Sequence, residues 1–188
     1  MKTILTTFTL ILAATWNLHA EPLKALKVGE AAPAFKIKDT RGKEIDLATL
    51  STKGPVLVRL TCGCLGCDRE LPYFQALHEA YKKEGIRLVA IFAEPDEKFA
   101  KYVKTKKLYM QYALDPGKNS WKIFGTKTMP SNFLIDKGGK VVAISKGCDP
   151  SGLIARNLGD KTAKLVNTEK VDIKSQVDKN KKPAKAKK

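Results

Sequence analysis

The chain has 188 residues, 43% hydrophobic and 29% charged, which excludes a collagen, a disordered polymer and a membrane bundle and leaves one folded domain as the expectation. Thirty-five Lys and Arg against nineteen Asp and Glu give +16, spread as +1 over residues 1–20, +8 over 21–160 and +7 over 161–188. The two histidines, His19 and His78, exclude a His-rich metal site and a Ser-His-Asp triad.

Met1-Lys2, the apolar run from Ile4 to Ala14 and the small residue Ala20 have the form of a secretory signal over 1–20. The run is too short to span a bilayer. An exported protein, periplasmic or extracellular, is the expectation, and an oxidising environment there permits disulfides among its four cysteines. Leu23 to Val28 and Ala34 to Lys38 read as edge segments, the second leading into a hairpin-type turn at Asp39-Thr40-Arg41-Gly42-Lys43. Pro55 to Leu60 is a buried strand. Leu71, Phe74, Leu77 and Tyr81 recur at helical steps before Gly85. Ile86 to Phe92 is a second buried strand. Pro95-Asp96-Glu97 opens a helix that carries Phe99, Tyr102 and Val103 on one face. Lys118 to Phe124 suggests a short helix, Ser131 to Asp136 a strand paired with Lys140 to Ser145 across a Gly-Gly turn, and Ser151 to Leu158 a closing helix.

The segment 161–188 holds ten Lys, three acids and few large apolar groups, so it is expected to be disordered. It is read as a solubilising tail or as a means of adhesion to anionic surfaces. With no aromatic residue interleaved for base stacking, no specific nucleic-acid binding is expected.

Chemistry concentrates in Cys62-Gly63-Cys64-Leu65-Gly66-Cys67, between a strand and a helix. Cys64 and Cys67, three apart at a helix start, lie about 5–6 Å from each other, within the range of about 4.4–6.8 Å that a disulfide accepts. Cys62 and Cys64, two apart in an extended segment, would stand about 6.6 Å apart, at the strained edge of that range. The 64–67 pair is therefore favoured. Unpaired N–H groups and the positive end of the helix dipole stabilise a thiolate there, so Cys64 is the expected nucleophile and Cys67 the resolving thiol. A structural disulfide or a pair of buried thiols is the alternative. A zinc site built from Cys62, Cys64, Cys67 and Cys148 fits in count, but C-x-C-x-x-C opening a helix is not the usual spacing, so neither metal nor cofactor is expected.

Taken together, Val28 to Phe35, Asp39 to Lys43, Cys64 to Pro72 and Thr128 to Val142 resemble the redoxin branch of the thioredoxin superfamily. The likeness is greatest to exported thiol–disulfide oxidoreductases of the ResA/TlpA type, with the AhpC/TSA peroxiredoxins as cousins. The resemblance implies an α/β thioredoxin-like fold over 21–160: a central mixed sheet flanked by helices, with an N-terminal β-hairpin extension. It further implies that Pro130 is a cis-proline facing the C-x-x-C pair, that Met129 offers its backbone to an extended substrate, and that Gly147 and Cys148 border the same groove. Protein disulfides or dithiols would be the substrates, with an upstream electron donor or acceptor as a second partner.

Three departures from the family stand out. Gly63 occupies the place where relatives commonly have Trp, so the substrate platform differs. Arg59 stands where relatives have Asn or Asp, which leaves Glu94 either as proton acceptor for the resolving thiol or as a helix cap. Cys62 and Cys148 are additional; they are read as auxiliary redox candidates, with an unpaired buried thiol as the other reading of Cys148. A thiol peroxidase is the alternative function, with a thiolate metal-binding protein as a third reading ranked below it. Thr61 stands three before Cys64, as in Pro-x-x-x-Thr-x-x-Cys, but position 57 is Leu, and Arg59 or Arg69 are candidate cations by proximity only.

Overall fold

The computed structural model describes residues 24–181. The expected leader lies outside the described residues, as do 182–188. Strands β1 (Lys36–Lys38) and β2 (Glu44–Asp46) form the antiparallel hairpin, with Ile37 opposite Ile45. Its turn is tied by Asp39, whose Oδ1 accepts the N–H groups of Arg41 and Lys43 at 2.9 Å each. Asp46 then caps a short helix not anticipated from the sequence, α1 (Leu47–Lys53), by accepting from the backbone of Ala48 and Thr49. The edge segment expected at 23–28 does not form where it is described: residues 24–28 belong to no strand. Gly29 and Ala32 instead hydrogen-bond the carbonyls of Val141 and Gly139, with Pro33 ending the run.

The main sheet is built from β3 (Val56–Thr61), β4 (Arg87–Phe92), β5 (Gln111–Leu114), β6 (Ser131–Ile135) and β7 (Val141–Lys146). Their order is β5-β4-β3-β6-β7, with β3, β4 and β5 parallel, β6 antiparallel to β3, and β7 antiparallel to β6 and so running the same way as β3. Successive residues of a strand face opposite sides, and both sides are covered. On one face Leu57, Leu88, Phe92 and Leu134 pack against α2 (Leu65–Tyr81), α3 (Asp96–Lys106) and α5 (Leu153–Leu165). On the other, Val56, Val58, Ile91 and Phe133 meet the hairpin residues Phe35 and Ile45 and the aromatic pair Trp121 and Phe124 around α4 (Asn119–Ile123). This is the thioredoxin-like arrangement with its hairpin extension.

The region expected to be a disordered tail is folded as far as residue 181. Helix α5 continues to Leu165, and a further helix, α6 (Ile173–Lys181), packs on α2. Thr162, Ala163, Ile173 and Val177 are buried, and the Val171 N–H donates to the Tyr81 hydroxyl at 2.9 Å. Average composition hid this, because Ile173 and Val177 stand four apart on one helical face while lysines occupy the others. Burial of each contributes about 1.5–3 kcal/mol, enough to seat a short helix that composition alone would leave unfolded.

Candidate active site

Sheet topology brings the sequence-predicted residues to one end. Strand β3 ends at Thr61 and delivers Cys62; β4 ends at Phe92, two residues before Glu94; β7 ends at Lys146, two before Cys148. Because Leu60 pairs with Ser131, the antiparallel register brings Pro130 level with Thr61. The Met129–Pro130 peptide is cis, and the Pro130 carbonyl accepts the Gly147 N–H at 2.8 Å. Met129 is partly buried against the core beside Trp121.

Cys64 is the N-cap of α2, in extended conformation with its side chain making no cap bond, so its sulfur stays free for chemistry. Its thiol is exposed, whereas Cys67, one turn on, is 2% exposed. All four cysteines are free thiols. The chain path turns in a bend spanning Gly63 and Cys64, so Cys62 lies closer to both partners than its sequence spacing implies. The Cys62 Sγ donates to Cys64 Sγ at 2.8 Å and lies 3.3 Å from Cys67 Sγ. Glu94 fixes the bend, its Oε1 accepting the Gly63 N–H at 2.7 Å, and it does not cap α3, whose N-cap is Pro95. Its Oε2 is buried without a partner. A Cβ at Gly63 would sit 3.2 Å from the Tyr102 ring, so the bend fits tightly under α3. Tyr102 and Lys106 in turn reach Asp68 on the first turn of α2, both at 2.7 Å.

Electrostatics separate the thiols. Burial works against ionisation of Cys64, but the Cys62 hydrogen bond and the backbone N–H groups of Cys67 and Gly66 outweigh it and hold this thiol below its ordinary range. Cys62 is pushed far up, first by burial and then by donating to Cys64. Cys148 is pushed up to about 12 by burial, then by the negative charge of Cys67 and Glu70. Alkylation followed by mass spectrometry across pH is expected to label Cys64 with a midpoint below the roughly 8.5 of a free thiol. Cys62→Ala should raise that midpoint; an unchanged value would show that Cys62 contributes nothing to the thiolate.

The residue that sequence reasoning missed is Glu70. It is 1% exposed and pairs with Arg59, itself 2% exposed, at 2.8 Å. Arg59 also donates to Asn132 Oδ1 at 2.9 Å and stacks over Phe74 with its guanidinium carbon 3.9 Å from the ring centre. The other Glu70 oxygen accepts the Asp149 N–H at 2.8 Å, and Cys148 Sγ lies 3.8 Å from the first. A buried carboxylate thus exists beneath the cysteines, supplied by the helix rather than by the strand. The signal was present: Arg59 in a fully buried strand requires a counter-charge, and Glu70 lies one turn beyond Cys67. Of the cations considered for a peroxide site, Arg59 is committed to this bridge and Arg69 is exposed. Cys148 lies over Gly66, where an added Cβ would stand 2.9 Å from its sulfur.

A buried second thiol one turn after an exposed first, at the end of a central strand and beside a cis-proline, defines a redox protein of the thioredoxin superfamily. The chain belongs to the AhpC/TSA family, whose model matches residues 28–144, and within it to the ResA-type redoxins. It is similar to the thiol-disulfide oxidoreductase ResA of Bacillus thuringiensis subsp. konkukian, with 36% identity over 123 residues covering 65% of this chain and 71% of the relative. Among solved structures it is similar to a thiol:disulfide interchange protein from Bacteroides sp., with a TM-score of 0.61, 26% identity and coverage of 76% of this chain and 91% of that one. The thioredoxin domain of a thiol-disulfide oxidoreductase from Bacteroides vulgatus matches with a TM-score of 0.61, 26% identity and coverage of 71% and 99%. The chain is an enzyme of this oxidoreductase class.

Proposed function

We propose that the protein exchanges disulfides with partner proteins outside the cytoplasm, with Cys64 as nucleophile and Cys67 as resolving thiol. The observation that carries this reading is the contrast within the pair: Cys64 is exposed with its thiol held low, and Cys67 is buried behind it. In the reducing direction the Cys64 thiolate attacks one sulfur of a partner disulfide, forming a mixed disulfide and releasing the other partner sulfur as thiolate. Cys67 then gives up its proton and attacks the Cys64 sulfur. The second partner sulfur leaves, a Cys64–Cys67 disulfide remains, and two electrons have passed to the partner. The same steps in reverse oxidise a dithiol, and the direction follows the pair's reduction potential against the partner's or that of an upstream electron donor or acceptor.

Glu94, with one oxygen buried and unpartnered beside the bend, is the proton acceptor in this reading. The Met129–Pro130 segment, Gly63 and Gly147 border the groove for an extended partner segment, and Leu65, 70% exposed beside Cys64, offers it apolar contact. Export rests on the signal-like sequence of residues 1–20; among the described residues no helix is long and apolar enough to cross a membrane.

The test is trapping. Cys67→Ser incubated with oxidised insulin should accumulate a mixed disulfide through Cys64, while the parent protein resolves it and reduces insulin. Hydrogen peroxide should consume the parent thiols no faster than it consumes free cysteine. Absence of the trapped species together with rapid peroxide consumption would replace exchange with peroxidase chemistry.

A further inference from the structure

We propose that the reduced trio Cys62, Cys64 and Cys67 binds one cuprous ion through three thiolates. The three Sγ atoms all lie within 4.8 Å of one another, and two of the separations are 2.8 and 3.3 Å. A metal bonded to three sulfurs at about 2.3 Å in a plane holds them roughly 4 Å apart. The trio reaches that triangle by opening two separations by about 1 Å, which side-chain rotation at the Gly63 bend accommodates.

The donor set selects the ion. Glu70 is occupied by Arg59 and by the Asp149 N–H, and among the described residues the ligand atoms that lie within 4.8 Å of one another are the three sulfurs, with no oxygen of Glu70 or Glu94 in the set. His78 lies eleven residues beyond Cys67 on α2, about 16 Å along its axis. Three thiolates without oxygen or imidazole suit a soft ion, and cuprous ion is the soft first-row choice, whereas zinc in a closed site takes four ligands. Cys148 falls outside the set of sulfurs within 4.8 Å. The spacing objection to a four-cysteine zinc site therefore leaves a three-sulfur site untouched.

On binding, each thiol releases its proton to solvent, three sulfur–copper bonds form, and no oxidation state changes. The complex carries two negative charges beside the first turn of the 17-residue helix α2, whose dipole favours them. Cys64 exposes the cluster, giving the ion a path in. A bound ion occupies the nucleophile, so metal binding and disulfide exchange exclude one another.

The experiment is anaerobic titration of the reduced full chain with cuprous ion in competition with a chromophoric cuprous chelator. One ion per chain is expected, with X-ray absorption showing three sulfurs at about 2.3 Å. Cys62→Ala should weaken binding by at least about 100-fold, beyond the 10–100-fold typical of an outer-shell change, while Cys148→Ser should stay within about threefold of the parent. Parent-like affinity in Cys62→Ala, an equal loss in Cys148→Ser, or zinc displacing the copper at equal concentration would each overturn the proposal. The absorption spectrum of the parent protein decides the matter even if a variant fails to fold. Insulin reduction by the metal-free protein, run in parallel, keeps a failure here distinct from a failure of the exchange reading.

Discussion

Cys64→Ser is expected to lower insulin reduction and dithiol oxidation on the order of 10³-fold or more, because the attacking atom is lost and nothing else is equally exposed and equally acidic. Cys62 is close enough to substitute, but burial, which the substitution leaves in place, pushes its thiol up and disfavours the thiolate. Cys67 is 2% exposed and unreachable by a folded partner. Rates of both reactions should be measured alongside near-ultraviolet circular dichroism, since serine is close to isosteric and the fold should persist. Retained activity in Cys64→Ser, with loss on Cys62→Ser, would move the nucleophile to Cys62.

The second large effect is on stability. Glu70→Ala should cost about 3–5 kcal/mol in urea unfolding, since it strands the Arg59 charge in the core. Arg59→Met alone strands Glu70 in the same way. Replacing both by apolar residues of similar volume should recover much of the loss, because desolvating two charges offsets most of their attraction. The contrast is with Lys36, whose ammonium, on a side chain 61% exposed, bridges Glu44 at 3.2 Å and Asp46 at 3.0 Å; Lys36→Ala should change stability by no more than about 1 kcal/mol. A midpoint shift for Glu70→Ala no larger than that for Lys36→Ala would show that water reaches Arg59 and that the bridge is not sealed. Glu70→Gln, which keeps the shape but not the charge, separates lost packing from the stranded cation.

Strands β3 and β4 were legible because they are apolar on both faces, and α2 because its four core positions fall at helical steps. Strand β5 was not, since Gln111 to Leu114 is short and half-buried at the sheet edge and so carries little pattern. The C-x-x-C pair was read from spacing and the cis-proline from family likeness. The approach of Cys62 is invisible in the sequence because a two-residue spacing carries no sign of a bend, whereas the chain bends there to hand the Gly63 N–H to Glu94. Glu70 was invisible for a different reason: its partner is eleven residues back on another element, and only the demand of Arg59 for neutralisation points to it. The end of the domain was misplaced because a sparse stripe of apolar residues among lysines is averaged away by composition.

The contact between Cys148 and Gly66 bears on how such enzymes are re-engineered. The two residues between paired cysteines are natural places to adjust, as if they formed a self-contained dial for redox potential. Here one setting of that dial is wired to a distant loop, because a side chain at 66 and the sulfur of 148 contend for the same volume. Grafting a spacer from a relative would therefore swing Cys148 aside and change which sulfurs surround Cys67. In this chain the spacer and the β7–α5 turn form one steric unit, to be exchanged together.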